Sequence, residues 1–316
     1  MNKHDEEYYK RQAQIVVFID ALYYDAINEI LKGAHLSTLP TDKVFLFKHY
    51  PKLSEYADDV INKCSNSLTV RIKDTQKWAW NEANLKNDEI AKAAYERRNL
   101  APPKSMLNHN SPQLSALQSR KINGLTLSER VWDYNNANLK DDIQKLIDYA
   151  IREGKSARQL SLEVRQYLKN PDALFRRIRD KNGNLKWSAE ALNYHPGRGV
   201  YRSAYKNAMR LAREEINRAY REAEWIRWQQ NPSVIGYRVV TSNRVATVCE
   251  ICKELAGVYP KSFKFLGWHV QCMCHCEAIL CPDEDFEKIL RDRNYAPQQP
   301  AMPENYIEYE REHQRA

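Results

Sequence analysis

Glycine is scarce in this chain, at nine of 316 residues. Strand-rich folds spend glycine on tight turns, so its shortage argues against a mainly β architecture and in favour of long helices. Long apolar runs are also missing. The most apolar stretch, Ile15 to Ile19, is cut by Asp20, far short of the roughly 18 uncharged residues a membrane helix needs. Met1 to Lys10 carries Lys3, Asp5, Glu6, Glu7 and Lys10 and has no apolar core of a signal peptide, which leads to the expectation of a reducing cytoplasm. Before residue 249 there is a single cysteine, Cys64, on an apolar stripe and read as a small buried hydrophobe. The string His-Glu-x-x-His is absent, and so is His-x-Glu followed by Pro-Cys-x-x-Cys, which excludes the common zinc protease and zinc deaminase signatures.

Charge is present in quantity and unevenly placed. Net charge is +8, yet residues 1–150 hold 21 Lys and Arg against 20 Asp and Glu, nearly in balance. Residues 151–230 hold 18 against 9, while residues 283–316 hold 5 against 9. A basic helical stretch followed by an acidic tail suits a polyanion or an acidic protein surface as partner. The competing reading is that these charges solvate helix faces, and Arg210, Glu214, Arg218 and Glu222, alternating in sign at four-residue steps, support it in part.

Apolar periodicity predicts a mainly α fold. Ile15, Ile19, Leu22, Tyr23, Ala26, Ile27 and Ile30 mark one helix over about 7–32, stopped at Gly33. Tyr56, Val60, Cys64, Leu68 and Ile72 begin a second that runs to about Arg98, ended by Pro102 and Pro103. Residues 101–124 read as a loop with Asn123-Gly124 as a turn. A helix capped by Ser128 runs through Ile147, Gly154 interrupts it, and Ser156 restarts it until Asn170-Pro171. Residues 181–200 are irregular. Tyr205, Met209, Ala212, Ile216, Ala219, Ala223 and Ile226 predict a central helix to about Gln229. Gly236 to Thr241 then alternates as a strand does, and Glu277 to Leu280 reads as a closing strand. This gives a long-helix body over 1–124, a basic helical region over 125–230, a small β-containing metal module over 231–282 and an acidic tail over 283–316.

Six of the seven cysteines lie between Cys249 and Cys281. Five of them, with His269, form the pattern Cys249-x-x-Cys252, a spacer, and His269-x-x-Cys272-x-Cys274-x-Cys276. Thiolates and an imidazole at such spacings suit a tetrahedral zinc ion, and in a reducing compartment metal outweighs disulfide. Cys249, Cys252, His269 and Cys272 are the favoured ligands, with Cys274 as the leading substitute. An extended Cys272–Cys276 would turn its three cysteines to one face and Met273 and His275 to the other. So many thiols point to a closed, structural zinc site that replaces a core too small to fold alone, and no enzyme activity is expected. His4, His35, His49, His109 and His195 have no ligand-spaced neighbour and read as surface residues.

Arg213-Glu214-Glu215 in a long helix, then Thr241-Ser242, Cys249-x-x-Cys252, Gly257-Val258-Tyr259 and His269-x-x-Cys272-x-Cys274, in that order, resembles the phage Mu F-like minor head protein family. The likeness is strongest over about 204–280. It departs from the family at Glu214, where threonine is common, at Val270, where proline is common, and at Met273, where arginine is common. The resemblance implies a low-copy structural protein of the virion at the portal vertex. Such a protein is present in the bacterial host cytoplasm during assembly and has the portal protein and scaffold or major capsid protein as partners. It would aid prohead assembly and DNA packaging or ejection. On that reading Arg202, Lys206, Arg210, Arg213 and Arg221 are the contacts to packaged DNA or the portal. A zinc-stabilised nucleic-acid-binding protein is the alternative, and a zinc nuclease or hydrolase stands behind both.

Overall fold

The apolar stripes expected from the sequence become the buried faces of long helices in the computed structural model, which describes residues 2–40, 43–154, 156–169, 178–179, 181–182, 185–186, 204–242, 248–292 and 294–314. Helix α1 runs Lys3–Gly33, and α2 runs Pro51–Glu96 over 46 residues. Pro51 starts α2 without loss, because the first turn of a helix needs no backbone donor. Ser111–Ser119 (α3), Leu127–Tyr134 (α4), Lys140–Arg152 (α5), Ala157–Lys169 (α6) and Ala204–Gln230 (α7) follow. A two-residue antiparallel pair, Ile178–Arg179 (β1) with Leu185–Lys186 (β2), stands between α6 and α7. The C-terminal third adds strand β3 (Val234–Val240), the short helix α8 (Glu250–Glu254), strands β4 (Gly257–Pro260) and β5 (His275–Leu280), and helices α9 (Asp283–Arg291) and α10 (Glu304–Gln314). Among the described residues no helix is long and apolar enough to cross a membrane.

Two compact units form, each from separated stretches of chain. Residues 1–11, 74–117 and 214–316 make one, and residues 12–73 and 118–213 make the other. These boundaries differ from the sequential ones expected at 124/125 and 230/231, because α1, α2 and α7 each give one end to either unit.

Among its described residues the second unit is helical, apart from β1 and β2, and buries Ile15, Ile19, Tyr23, Ile27, Val60, Cys64, Leu68, Ile143, Leu146 and Ile147. Cys64 is the buried hydrophobe expected. Polar side chains fix the helices where apolar packing alone would let them slide. Tyr23 Oη donates to the Asn135 side chain, whose Nδ2 donates to Ser65 Oγ at 3.0 Å. Asn135 opens a π-helical turn, Asn135–Leu139, that joins α4 to α5. Thr126, rather than Ser128, caps α4. Its side chain accepts from the Glu129 amide while the Glu129 carboxylate accepts from the Thr126 amide, a reciprocal capping box. Ser156 starts α6 as expected, its hydroxyl accepting from the Gln159 amide. Asn123 and Gly124, at φ 52° and 80°, make the two-residue turn that brings Ile122 and Leu125 into a bridge. Gly33 is not left-handed. It is small because the Tyr56 ring would lie 2.5 Å from any Cβ there, and the left-handed residue is His35 instead.

The first unit carries the sheet. β3 is central and antiparallel to β4 on one side and β5 on the other, with Tyr237 opposite both Tyr259 and Ala278. Rings stack through it: Trp228 on Tyr237 at 4.6 Å, Tyr259 on Phe263 at 4.7 Å, and Phe265 beside Trp268 at 4.7 Å. The loop expected over 101–124 contains α3, and the acidic tail is largely folded. Phe286 and Ile289 of α9 are buried with Tyr95 and Cys281. Tyr306 of α10 sits at 4.8 Å from Phe263, and Asn305 Nδ2 donates to the Glu254 carbonyl. His4 is buried, not on the surface, with Nδ1 bonded to Glu82, while His109 pairs with Asp88 at 2.9 Å. His35 and His49 are exposed as expected. His195 and most of 181–200 lie outside the described residues.

Two stability tests follow from this packing. A Cβ at Gly236 would meet the Tyr259 carbonyl at 2.5 Å and Pro300 Cγ at 2.6 Å. Gly236→Ala is therefore expected to lower stability by about 1–3 kcal/mol in chemical denaturation, with the cost falling if Pro300 is also made alanine. Buried Asp142 has its pKa raised from 3.8 to about 7, chiefly by desolvation. A carboxyl raised in the folded state stabilises it fully below the unfolded value and loses that contribution as pH rises through the folded one. Wild type should therefore lose on the order of a few kcal/mol relative to Asp142→Asn between about pH 4 and 7. Parallel pH dependences for the two proteins would contradict this.

Candidate metal centre

The cysteine pattern folds into one knuckle between the strands. Cys249 caps the five-residue α8, and the Cys252 amide donates to Cys249 Sγ at 3.4 Å, so the two thiols turn to the same side. The chain then pairs as β4 on one edge of β3, loops back, and pairs as β5 on the other edge. His269, Cys272 and Cys274 lie on that returning loop. A tight turn sets it, with the Cys272 amide donating to the His269 carbonyl at 3.0 Å and Gln271 left-handed at φ 63°. Gly267, at φ 123°, passes so near that a Cβ would come within 3.2 Å of Cys272 Cβ.

The donor atoms converge. Cys249 Sγ and Cys252 Sγ each lie 3.1 Å from His269 Nε2, and Cys252 Sγ lies 3.8 Å from Cys272 Sγ. Around a tetrahedral ion with metal–sulfur bonds near 2.3 Å, two thiolates stand about 3.8 Å apart and a thiolate and imidazole about 3.5 Å. The donors of Cys249, Cys252 and His269 lie within 4.8 Å of one another, and those of Cys252, Cys272 and Cys274 do the same. Cys252 belongs to both groups. The favoured set thus falls across the two, with Cys272 joined to Cys249 and His269 through Cys252. All five expected donors are brought together, and the cluster could hold a metal ion. Cys252, Cys272 and Cys274 are buried, whereas Cys249 and His269 are exposed.

His269 is oriented for the task. Its Nδ1 lies 2.8 Å from the Val270 carbonyl, which can only accept, so the proton is on Nδ1 and the Nε2 lone pair faces the thiols. Among the thiols, Cys272 is pushed down to about 4, first by a hydrogen bond from Cys274 and then by the Arg221 guanidinium, against the effect of burial. The same bond pushes Cys274 up. Burial raises Cys252 to about 12, so a bound ion must displace its proton. Cys276 and His275 join neither group. Cys276 faces Arg221, and the His275 ring meets the edge of Tyr9.

Side chains from three helices hold the returning strand. Asn217 Nδ2 donates to the Cys272 carbonyl at 3.0 Å, Tyr9 Oη to that of Met273 at 2.6 Å, and Lys86 Nζ to that of Cys276 at 3.0 Å. Glu214 accepts from the Gln271 amide at 3.4 Å, and Gln76 donates to Glu215 at 2.9 Å. Beneath lies a buried ion cluster: Lys86 pairs with Asp5 at 2.8 Å and with Glu224 at 2.6 Å, and Tyr220 donates to Asp5. Sequence reading missed Asp5, Lys86, Asn217 and Glu224 because their partners are up to 215 residues away; the one local hint is polar residues standing within apolar helical stripes.

The basic face of α7 needs a correction. Arg221 is 3% exposed and faces the cysteine strand, so it cannot be a contact to DNA or a portal surface. Arg227, 2% exposed, pairs with Asp88 at 2.6 Å. Lys206, Arg210 and Arg213 are half-buried and already engaged in polar interactions, and Arg202 lies outside the described residues.

No protein-family model, no curated protein and no solved structure matches this chain.

Because Cys252 is shared, Cys252→Ser is expected to abolish stoichiometric metal binding and lower the melting temperature, while Cys276→Ser retains the metal. Elemental analysis of the two purified variants beside wild type checks this, and equal metal content in the first and wild type contradicts it.

Proposed function

We propose that this chain is a structural protein of phage head morphogenesis, a low-copy component at the portal vertex with a structural zinc ion at its cysteine knuckle. The observation that carries the reading is the ordered run from Arg213-Glu214-Glu215 through Cys249-x-x-Cys252 to His269-x-x-Cys272-x-Cys274. Its members meet in space as well as in sequence: Glu214 holds the Gln271 amide beside the donor cluster. Zinc is the ion proposed because the donors are thiols and one imidazole, a set that suits a redox-inert ion of tetrahedral preference. Among the described residues no carboxylate joins either donor group, and Asn217, Tyr9 and Lys86 bond the backbone carbonyls of Cys272, Met273 and Cys276. That arrangement supports holding the chain in shape over hydrolysing a substrate. The nucleic-acid reading is weakened by the burial of Arg221 and Arg227, two of the cations that made the helix basic.

A tagged chain expressed during phage assembly is expected to co-purify with portal and capsid protein and to be present at a few copies per purified particle by quantitative mass spectrometry. Absence from the particles, with the chain abundant in the lysate, overturns the proposal.

A further inference from the structure

Binding a divalent ion with three thiolates and a neutral imidazole leaves the centre one negative charge, and using Cys274 in place of His269 leaves two. Three of these thiols are buried, and a net charge in a low-dielectric site is costly without a partner. Two buried cations lie near the cysteine strand. Lys86 is committed to Asp5 and Glu224, at 2.8 and 2.6 Å. Arg221 is not: among the described residues no carboxylate lies within salt-bridge distance of it. Its Nη1 points at Cys276 Sγ at 3.8 Å, its Nε donates to Asn217 Oδ1 at 3.3 Å, and its guanidinium lies over the Phe265 ring at 4.8 Å. Asn217 also holds the Cys272 carbonyl and accepts from Tyr8, so the group that aims Arg221 also positions a candidate ligand.

We propose that Arg221 is the counter-charge of the metal–thiolate centre, a positioning residue that sets metal affinity without touching the ion. Held between Asn217 and Phe265, its guanidinium offsets the charge left when the thiols lose their protons to the metal. This rests on the metal reading above. The main competitor for Arg221 is the buried carboxylate cluster, since Glu224 lies one turn further along the same helix.

The test uses the full-length chain and two probes, Zn2+ in competition with a chromophoric chelator and Co2+ followed by its absorption. Arg221→Met is expected to bind Zn2+ about 10–100-fold more weakly than wild type, the usual effect of losing an outer partner of a metal site. Arg221→Lys should recover most of the loss, since it keeps the charge. The Co2+ complex of each variant should keep the thiolate charge-transfer band and tetrahedral ligand-field bands of wild type, because the ligands are unchanged. A double variant, Arg221→Met with Glu224→Gln, restores neutrality among the buried side chains and guards against failure of the single variant to fold. If Arg221 serves the centre, the double variant still binds weakly. If its affinity returns to that of wild type, Arg221 serves the carboxylates and the proposal is overturned. Arg221→Met binding within twofold of wild type also overturns it. A wild-type chain that binds neither ion overturns the metal reading itself, a result distinct from both.

Discussion

Cys252 is the point at which the two halves of the cysteine cluster meet, because among the described residues its thiol is the donor shared by the group with Cys249 and His269 and the group with Cys272 and Cys274. For that to happen, two segments about twenty residues apart must return to one place. The sheet arranges it. β4 and β5 pair with opposite edges of β3, so the knuckle ahead of β4 and the loop ahead of β5 come to the same end of the strands. The aromatic stack from Trp228 to Trp268 packs the space between. α10 then lays Tyr306 on that stack, which makes the acidic tail a cover for the module.

The other side of the cysteine strand is polar and buried. Asp5, Lys86, Glu224 and Arg221 are each 3% exposed or less. Burying charges in pairs adds little to stability compared with apolar packing, but removing one member is expensive because it leaves an uncompensated buried charge. Lys86, Tyr9 and Asn217 between them take the carbonyls of Cys276, Met273 and Cys272. The strand is thus held by side chains on its free side, and the thiols ahead of it are presented in one arrangement. The long helices that supply these groups are themselves unusual in that each serves both compact units.

Helix existence was legible because burial obeys the 3.6-residue period: Ile15, Ile19, Tyr23 and Ile27 are all buried, as are Val60, Cys64, Leu68 and Ile72. The five candidate metal donors were legible because spacing within a knuckle is local. Helix α3 was missed because Ser111 to Ser119 has only Leu114 and Leu117 to bury and sits among prolines and asparagines. α9 was missed because its strongly acidic first turn reads as a solvated tail, although Asp283, Glu284 and Asp285 are well placed at a helix N-terminus. Arg221 was misread for a physical reason: a cation on a charged helix is read as exposed by default, and only the fold shows that its face is turned to the thiols. The two compact units are not sequential segments, because α1, α2 and α7 each contribute residues to both.

X-ray absorption at the metal edge of the intact, reduced chain tests the central claim most directly. The account predicts one zinc per chain with a first shell of three sulfurs near 2.3 Å and one imidazole nitrogen near 2.0 Å. A shell of oxygen and nitrogen alone, or a chain that folds to the same melting temperature with no metal edge at all, would contradict it.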